Sequence, residues 1–209
     1  MFAETSEGRF AGLYDLAFNP VLRRVHHATL QLAQKYDCHS IIDLGSGTGA
    51  QARVLTNHGF TVTGIDSSTK MIEFAQRKSH GSIRFIQSDI TSFMLTDSTF
   101  DAANICLVLH PNPLEIIVKI LNKTKNLVTP DGVVFITDYG KGTGFSGKMA
   151  NGIIRFIESL AQKNHSKNYF SFIEQNGIEM LSTIPSIKII EKKMYYHGAL
   201  QTYVISFLP

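Results

Sequence analysis

The sequence predicts an α/β protein: a parallel sheet with helices on both faces, finished by an antiparallel hairpin. Three observations carry that prediction. Between about residue 40 and residue 139, short apolar runs alternate with stretches of helical period, the rhythm of βαβ units. The first run, Ile41-Ile42-Asp43-Leu44, opens straight into Gly45-Ser46-Gly47-Thr48-Gly49, a turn that lets backbone approach a ligand because glycine carries no Cβ. Finally, residues 187–196 and 199–207 read as strands on either side of His197-Gly198. A strand, glycine turn and helix in succession form a cradle only at the carboxyl end of a parallel strand, where the helix presents unpaired N–H groups.

The composition narrows the class. With 209 residues and 44% hydrophobic content, one sizeable core is expected, so residues 1–209 are read as one domain. The formal charge of +3 is uneven: residues 1–118 carry 9 Lys+Arg against 11 Asp+Glu, and residues 119–209 carry 11 against 6. The second-half cations are scattered, without a dense basic run or interleaved aromatics, so a solvated face is expected and a nucleic-acid partner is not. The two cysteines, Cys38 and Cys106, fall beside or within strands and fit a reducing cytoplasm. The N-terminal residues are polar and acidic rather than basic and then apolar, so no export signal is expected. No apolar run approaches the roughly 20 residues of a membrane span, which limits any membrane contact to a peripheral one.

Taken in order, Asn19-Pro20 pairs an N-cap with proline at the first helical position. Leu22, Val25, Thr29, Leu32 and Ala33 then recur at helical spacing to about Tyr36. Residues 1–38 are thus an N-terminal cap segment and helix, and Tyr14 either covers a cofactor or anchors that segment. Strands follow at about 41–45, 60–65 and 83–87, with helices at about 48–57 and 68–79 ended by His58-Gly59 and His80-Gly81. A fourth strand, about 100–109, is apolar on both faces, as expected when helices cover it on both sides. Asn112-Pro113-Leu114-Glu115 starts a helix carrying Leu114, Ile117, Leu121 and Val128. The turn Thr129-Pro130-Asp131-Gly132 leads into a strand at 133–138. Residues 140–152, with Gly140, Gly142, Gly144, Gly147 and Gly152, read as a flexible connector. Helices are expected at about 153–160 and 169–175, the second capped by Gly177, and residues 139–178 together read as an acceptor lid.

Asp66 closes the second strand 21 positions after Gly45, where a carboxylate accepts hydrogen bonds from ribose hydroxyls. A glycine turn and an acid together signal a nucleoside cofactor without naming it. Gly45, Gly47 and Ala50 also satisfy the dinucleotide fingerprint, so an NAD(P)-dependent oxidoreductase is the rival reading. Three features favour a methionine-adenosine cofactor. Asp43 lies inside the first strand, where a carboxylate can hold an ammonium group; Asp89 after the third can accept from an adenine amine. No further domain for a hydride acceptor is expected after the hairpin, and no Tyr-x-x-x-Lys pair occurs.

The chain resembles the class I S-adenosylmethionine-dependent methyltransferases over nearly its whole length. The matching pieces are Asp43 to Gly49, Gly64-Ile65-Asp66 with Met71, Ser88-Asp89-Ile90, Phe100-Asp101-Ala102-Ala103 with Leu107-Val108-Leu109-His110, and Leu127 to Gly132. Within that family it looks most like the small quinone- and lipid-methylating enzymes. The resemblance implies a Rossmann-like seven-stranded, mostly parallel sheet with the last strand antiparallel and inserted. It also implies S-adenosyl-L-methionine as cofactor, with S-adenosyl-L-homocysteine as product, and a small apolar acceptor such as a quinone precursor, phenol or lipid. Carried over, Gly45 and Gly47 admit the methionine end, Asp43 bears on its ammonium, and Asp66 with Ser67 holds the ribose. Met71 packs on the adenine, Asp89 and Ile90 hold its amine edge, and Cys106 and Leu107 flank the sulfonium.

The acceptor side is less marked. His110 stands at the mouth of the fourth strand, either as a base or as an ordinary residue before Pro111; Tyr139 and His165 are candidates to line the acceptor site. Asp43 could instead tie the glycine turn together, and Cys106 could be core filler. The histidines show no metal-ligand spacing, so no metal is expected. Ile153, Ile154, Phe156, Ile157 and Leu160 read either as core or as a roof over a greasy substrate. Where an Asn-Pro-Pro-Tyr tetrad would mark methylation of a base amine or a glutamine amide, His110-Pro111-Asn112-Pro113 stands instead. A cofactor-binding partner protein without catalysis is the remaining alternative.

Overall fold

In the computed structural model of the chain, which describes residues 22–95, 99–159 and 163–208, seven strands form one sheet in the order β3-β2-β1-β4-β5-β7-β6. They are β1 (Ser40–Leu44), β2 (Thr61–Asp66), β3 (Arg84–Gln87), β4 (Phe100–Cys106), β5 (Val128–Tyr139), β6 (Ile187–Tyr195) and β7 (Leu200–Phe207). The helices are α1 (22–35), α2 (Ala50–Thr56), α3 (Thr69–Lys78), α4 (Leu114–Lys125), α5 (Gly144–Ser159) and α6 (Lys163–Glu174). A 3-10 segment, Gly177–Thr183, precedes β6. The chain divides into two compact units, Met1–Asn104 with Asn126–Gly132, and Ile105–Lys125 with Val133–Pro209.

The first unit follows the predicted rhythm. Val25, Thr29, Leu32 and Ala33 of α1 are buried, as their spacing requires; Asn19, Pro20 and Tyr14 lie outside the described residues. β1 and β2 pair in parallel with Asp43 opposite Gly64, and β2 and β3 pair with Gly64 opposite Phe85. A Cβ on Gly64 would stand 2.5 Å from the Phe85 ring, so only glycine lets that ring lie across the strand. Asp101, at the start of β4, accepts from the backbone N–H groups of His39 and Ser40 at 2.8 Å each and so pins the entry to β1.

From β4 onward the chain departs from expectation in four places. β4 ends at Cys106 although the apolar run continues, because Leu107 takes a left-handed φ of 58° and turns the chain away. Val128, expected on the helix after β4, begins β5, and the expected turn at 129–132 lies within that strand. The glycine-rich stretch is mostly helix: α5 starts at Gly144. Gly140, Gly142 and Gly147 serve close packing, since a Cβ on Gly147 would meet the Gly142 carbonyl carbon at 2.7 Å, whereas a Cβ on Gly144 or Gly152 would meet nothing within 4 Å; the Asn151 side chain bridges the Gly142 N–H and the Gly140 carbonyl. α6 begins at Lys163 and is longer than expected, and Asn176 precedes Gly177 in the left-handed region.

α5 is also inside out. It turns Gly147 and Glu158 inward while Phe145, Met149, Ile153, Phe156 and Ile157 are exposed, so the core reading of that apolar stripe does not hold; Leu160 lies outside the described residues. The terminal hairpin appears as expected: β6 and β7 are antiparallel, with a register shift between Ile189 and Glu191. Tyr196, His197 and Gly198 all take positive φ in the turn. Among the described residues no helix is long and apolar enough to cross a membrane.

Candidate active site

In the first unit the glycine turn is built from three left-handed residues, Gly45, Gly47 and Gly49, with φ of 75°, 50° and 71°. Only glycine populates that region freely, which is why the turn can leave a strand and enter α2 within five residues. The N–H groups of Gly45 and Ser46 both donate to the Ile65 carbonyl, at 2.8 and 2.9 Å, and lock the turn to β2. A Cβ on Gly47 would meet no atom within 4 Å, so this glycine borders open space.

Asp66, the last residue of β2, receives the Gly47 N–H on Oδ2 at 2.8 Å and the Ser68 N–H on Oδ1 at 2.9 Å. Thus Asp66, not Asp43, ties the turn. Burial raises the Asp66 pKa, and those two N–H bonds oppose the rise. Asp43 is 2% exposed; its Oδ1 accepts from Asn104 Nδ2 at 2.7 Å while its Oδ2 is buried with no hydrogen-bond partner among the described residues. Burial pushes the Asp43 pKa up to about 6, opposed by the Asn104 bond and helped by the charge of Asp66. Asn104 Oδ1 and Ser46 Oγ are likewise buried without protein partners. Unsatisfied buried oxygens cost stability, and a cationic donor such as a primary ammonium would satisfy them. Sequence reading missed Asn104 because an asparagine inside an apolar strand has no pattern of its own.

The other predicted cofactor residues are placed more simply. Ser67 is exposed; Met71 is half-buried in the first turn of α3, and its N–H donates to the Ser68 cap at 3.4 Å. Asp89 lies beyond the end of β3, exposed, with Oδ1 accepting from the Thr91 N–H and hydroxyl at 2.6 Å each; Ile90 is half-buried. In the second unit, Cys106 ends β4 half-buried, and Leu107 donates its N–H to the Thr137 carbonyl at 2.8 Å. A leucine held at positive φ is uncommon and costs conformational energy, a feature that tends to mark functional turns.

The second unit brings His110, Tyr139 and His165 together around a residue that sequence reading did not single out, Glu158. His110 Nδ1 lies 2.8 Å from Asp138 Oδ1. The same carboxylate accepts from the N–H groups of Leu109, His110 and Tyr139 at 2.9, 3.2 and 2.8 Å, so the ring nitrogen is the donor of its pair. His110 Nε2 then faces Glu158 Oε1 across 3.7 Å. Tyr139 donates its hydroxyl to Glu158 Oε1 at 2.9 Å, and His165 Nε2 meets Glu158 Oε2 at 2.7 Å. Burial alone would raise the Glu158 pKa, but the His165 bond, the His110 charge and the Tyr139 bond together hold it below the usual value. Tyr169, fully buried, packs edge-on against His110 and Tyr139 with centroids 6.2 and 5.6 Å apart, and its hydroxyl has no protein partner. Such a group can accept a proton, orient a hydroxyl or hold a cation. Glu158 had one signal in the sequence: it is the lone acid of α5.

Residues 41–132 match the model of a family described as a methyltransferase domain. Over 68 residues the chain is 46% identical to the putative methyltransferase YqeM of Bacillus subtilis, an alignment covering 32% of this chain and 28% of that protein. It is 34% identical over 94 residues to the malonyl-[acyl-carrier protein] O-methyltransferase of Pectobacterium atrosepticum, covering 45% and 36%. The PH0226 protein of Pyrococcus horikoshii superposes with a TM-score of 0.67 over 89% of this chain and 90% of its own, at 15% identity. In this matched stretch and in its fold the chain is similar to the S-adenosylmethionine-dependent methyltransferases. Its alignments span about a third of the length of these two curated relatives. This similarity favours the sulfonium reading over the dinucleotide one.

Proposed function

We propose that the chain transfers the methyl group of S-adenosylmethionine to a small acceptor with an ionisable oxygen, of the quinone-precursor, phenol or lipid-like class. The observation that carries the donor half is Asp43 Oδ2, a buried carboxylate oxygen without a protein partner beside a glycine turn, which suits the ammonium of a methionine moiety. Asp66 remains able to accept from ribose hydroxyls through its free lone pairs. Met71, Asp89 and Ile90 serve the adenine in this reading, and Cys106 with Leu107 borders the sulfonium.

In the transfer, a lone pair on the acceptor oxygen forms the new bond to the methyl carbon, and the electron pair of the breaking S–C bond stays on sulfur. The donor is already activated by its positive sulfur, so alignment supplies most of the acceleration. The acceptor proton has to go elsewhere, and the cluster of His110, Glu158 and His165 is where this chain concentrates proton acceptors. Tyr139 orients the group through its bond to Glu158. Two curated relatives whose names print O-methylation, the malonyl-[acyl-carrier protein] enzyme and the ubiquinone biosynthesis O-methyltransferase of Actinobacillus pleuropneumoniae, support oxygen as the accepting atom. The outward apolar stripe of α5 favours a lipid-like acceptor or its presentation at a bilayer surface.

Calorimetry with S-adenosylhomocysteine tests the donor half. Wild type should bind, and Asp66→Ala should weaken binding by about 30-fold or more, the value of losing hydrogen bonds to a charged acceptor. Absence of binding by wild type, or equal binding by the variant, overturns it. A panel of phenols, quinols and acyl carriers, read by methylated-product mass, tests the acceptor class.

A further inference from the structure

Among the described residues, one group of three metal-ligating side chains converges: donor atoms of His110, Glu158 and His165 lie within 4.8 Å of one another. We propose that His110 Nε2, the Glu158 carboxylate and a ring nitrogen of His165 form a binding site for a divalent late first-row cation, with zinc as the reference ion. The site lies wholly in the second unit and does not depend on the methyl-transfer reading.

The donor set suits such an ion. Two imidazoles and one carboxylate are the ligands of open zinc sites, in which a fourth position is left for water or substrate. The spacing suits it too. Tetrahedral ligands on one ion at about 2.0–2.2 Å stand roughly 3.3–3.6 Å apart, so atoms already within 4.8 Å come into place with shifts of about 1 Å. His165, with 37% of its side chain exposed, is free to make them and leaves a route of entry.

The surroundings of the three ligands are those of a metal site as well. Ligating histidines as a rule donate their second ring N–H to a carboxylate or carbonyl, which fixes the ring and the tautomer. His110 does so to Asp138, itself held by three backbone N–H groups. With Nδ1 occupied, Nε2 is the nitrogen that faces Glu158, at 3.7 Å: beyond hydrogen-bonding range and within the separation of two ligands sharing an ion. Tyr139 holds Glu158 from the other side, and the partnerless Tyr169 hydroxyl packs beside His110 as a further group for an oxygen held in the open position. The Arg155 guanidinium lies over the Phe170 ring, 5.4 Å from its centroid, and no ion pair joins it to Glu158 among the described residues.

The test uses the full chain, stripped with a chelator and given Zn²⁺ without any cofactor present. Elemental analysis after dialysis should find about one zinc per chain, and the Co²⁺ form should show the visible bands of a low-coordinate site. His165→Ala and Glu158→Gln should each lower zinc affinity by ~100-fold, and Asp138→Asn by ~10–100-fold through the outer shell. His58→Ala, on the first unit, should bind as wild type does. Because His165 is part-exposed its variant should fold, which circular dichroism checks. Failure to retain zinc at micromolar concentration, or retention unaltered in both His165→Ala and Glu158→Gln, overturns the proposal. Neither result bears on S-adenosylhomocysteine binding, which is measured separately through Asp66.

Discussion

The Nδ1 of His110 and the Oδ1 of Asp138 lie 2.8 Å apart, and the Asp138 carboxylate that holds this ring is also the acceptor for three backbone N–H groups from 109, 110 and 139. One buried side chain thus sets both the backbone after β4 and the tautomer of the histidine it carries. Replacing Asp138 by Asn keeps the volume but puts an N–H on one side of the group, facing donors. Methyl transfer in single turnover should fall by about 10²–10⁴-fold, as when a histidine loses its orienting carboxylate, with S-adenosylhomocysteine affinity unchanged. A parallel loss of cofactor binding would show that the damage is global.

The proposed ammonium site at Asp43 would couple cofactor binding to pH. Its folded pKa, raised to about 6 from 3.8, means that the folded chain binds more protons than the unfolded chain between these values. Stability contributed in acid is therefore lost as pH rises through that window and stays lost above it. Asp43→Asn should stabilise the cofactor-free chain at pH 8 by about 1–3 kcal/mol, with no gain near pH 3.5, since each tenfold change in proton affinity is worth about 1.4 kcal/mol. Thermal melts at both pH values read this out. The same variant should fail to bind S-adenosylhomocysteine.

Glu158 has the opposite sign. Its pKa is held below the ordinary 4.5, so the stability it contributes is present above that value and disappears as pH falls through the folded one. Glu158→Gln should cost on the order of 2–3 kcal/mol at pH 7, the loss expected on breaking a buried charged pair, and should flatten the acid limb of the stability curve. Denaturant titrations at pH 7 and pH 4 measure it. An equal cost at both would point to packing rather than charge.

Gly64 tests how the first unit packs. An added methyl would stand 2.5 Å from the Phe85 ring and 2.9 Å from Ser46 Oγ, so Gly64→Ala should destabilise by about 1–3 kcal/mol. Trimming the ring should return part of that. In a double-mutant cycle, Gly64→Ala with Phe85→Leu should cost at least ~0.5 kcal/mol less than the sum of the two single changes. Additivity would show that the strand, not the ring, had yielded.

Much of the first unit was legible because its rules are local. A strand running into glycine at φ of 50–75° and then a helix is contained within a dozen residues, and each part restricts the next. Asp43 and Asp66 were found by spacing from that turn, though the tie of the turn went to Asp66. The second unit resisted for two reasons. Its glycines looked like a flexible connector because sequence cannot distinguish a glycine that bends from one that admits a neighbouring backbone, as Gly147 admits Gly142. The run through Leu107, Val108 and Leu109 stayed apolar past the point where the backbone at Leu107 leaves the strand.

By itself, then, the sequence determined the succession of elements up to β5, the glycine cradle and its carboxylates, since periodicity and spacing report on residues within a few turns of each other. Tertiary structure alone decided two things. It turned the polar side of α5 inward and its phenylalanines outward, because periodicity reveals a stripe but not the side that finds a partner. It also gathered His110, Asp138, Glu158 and His165 into one polar cluster, because residues that distant along the chain meet only when helices and strands have packed.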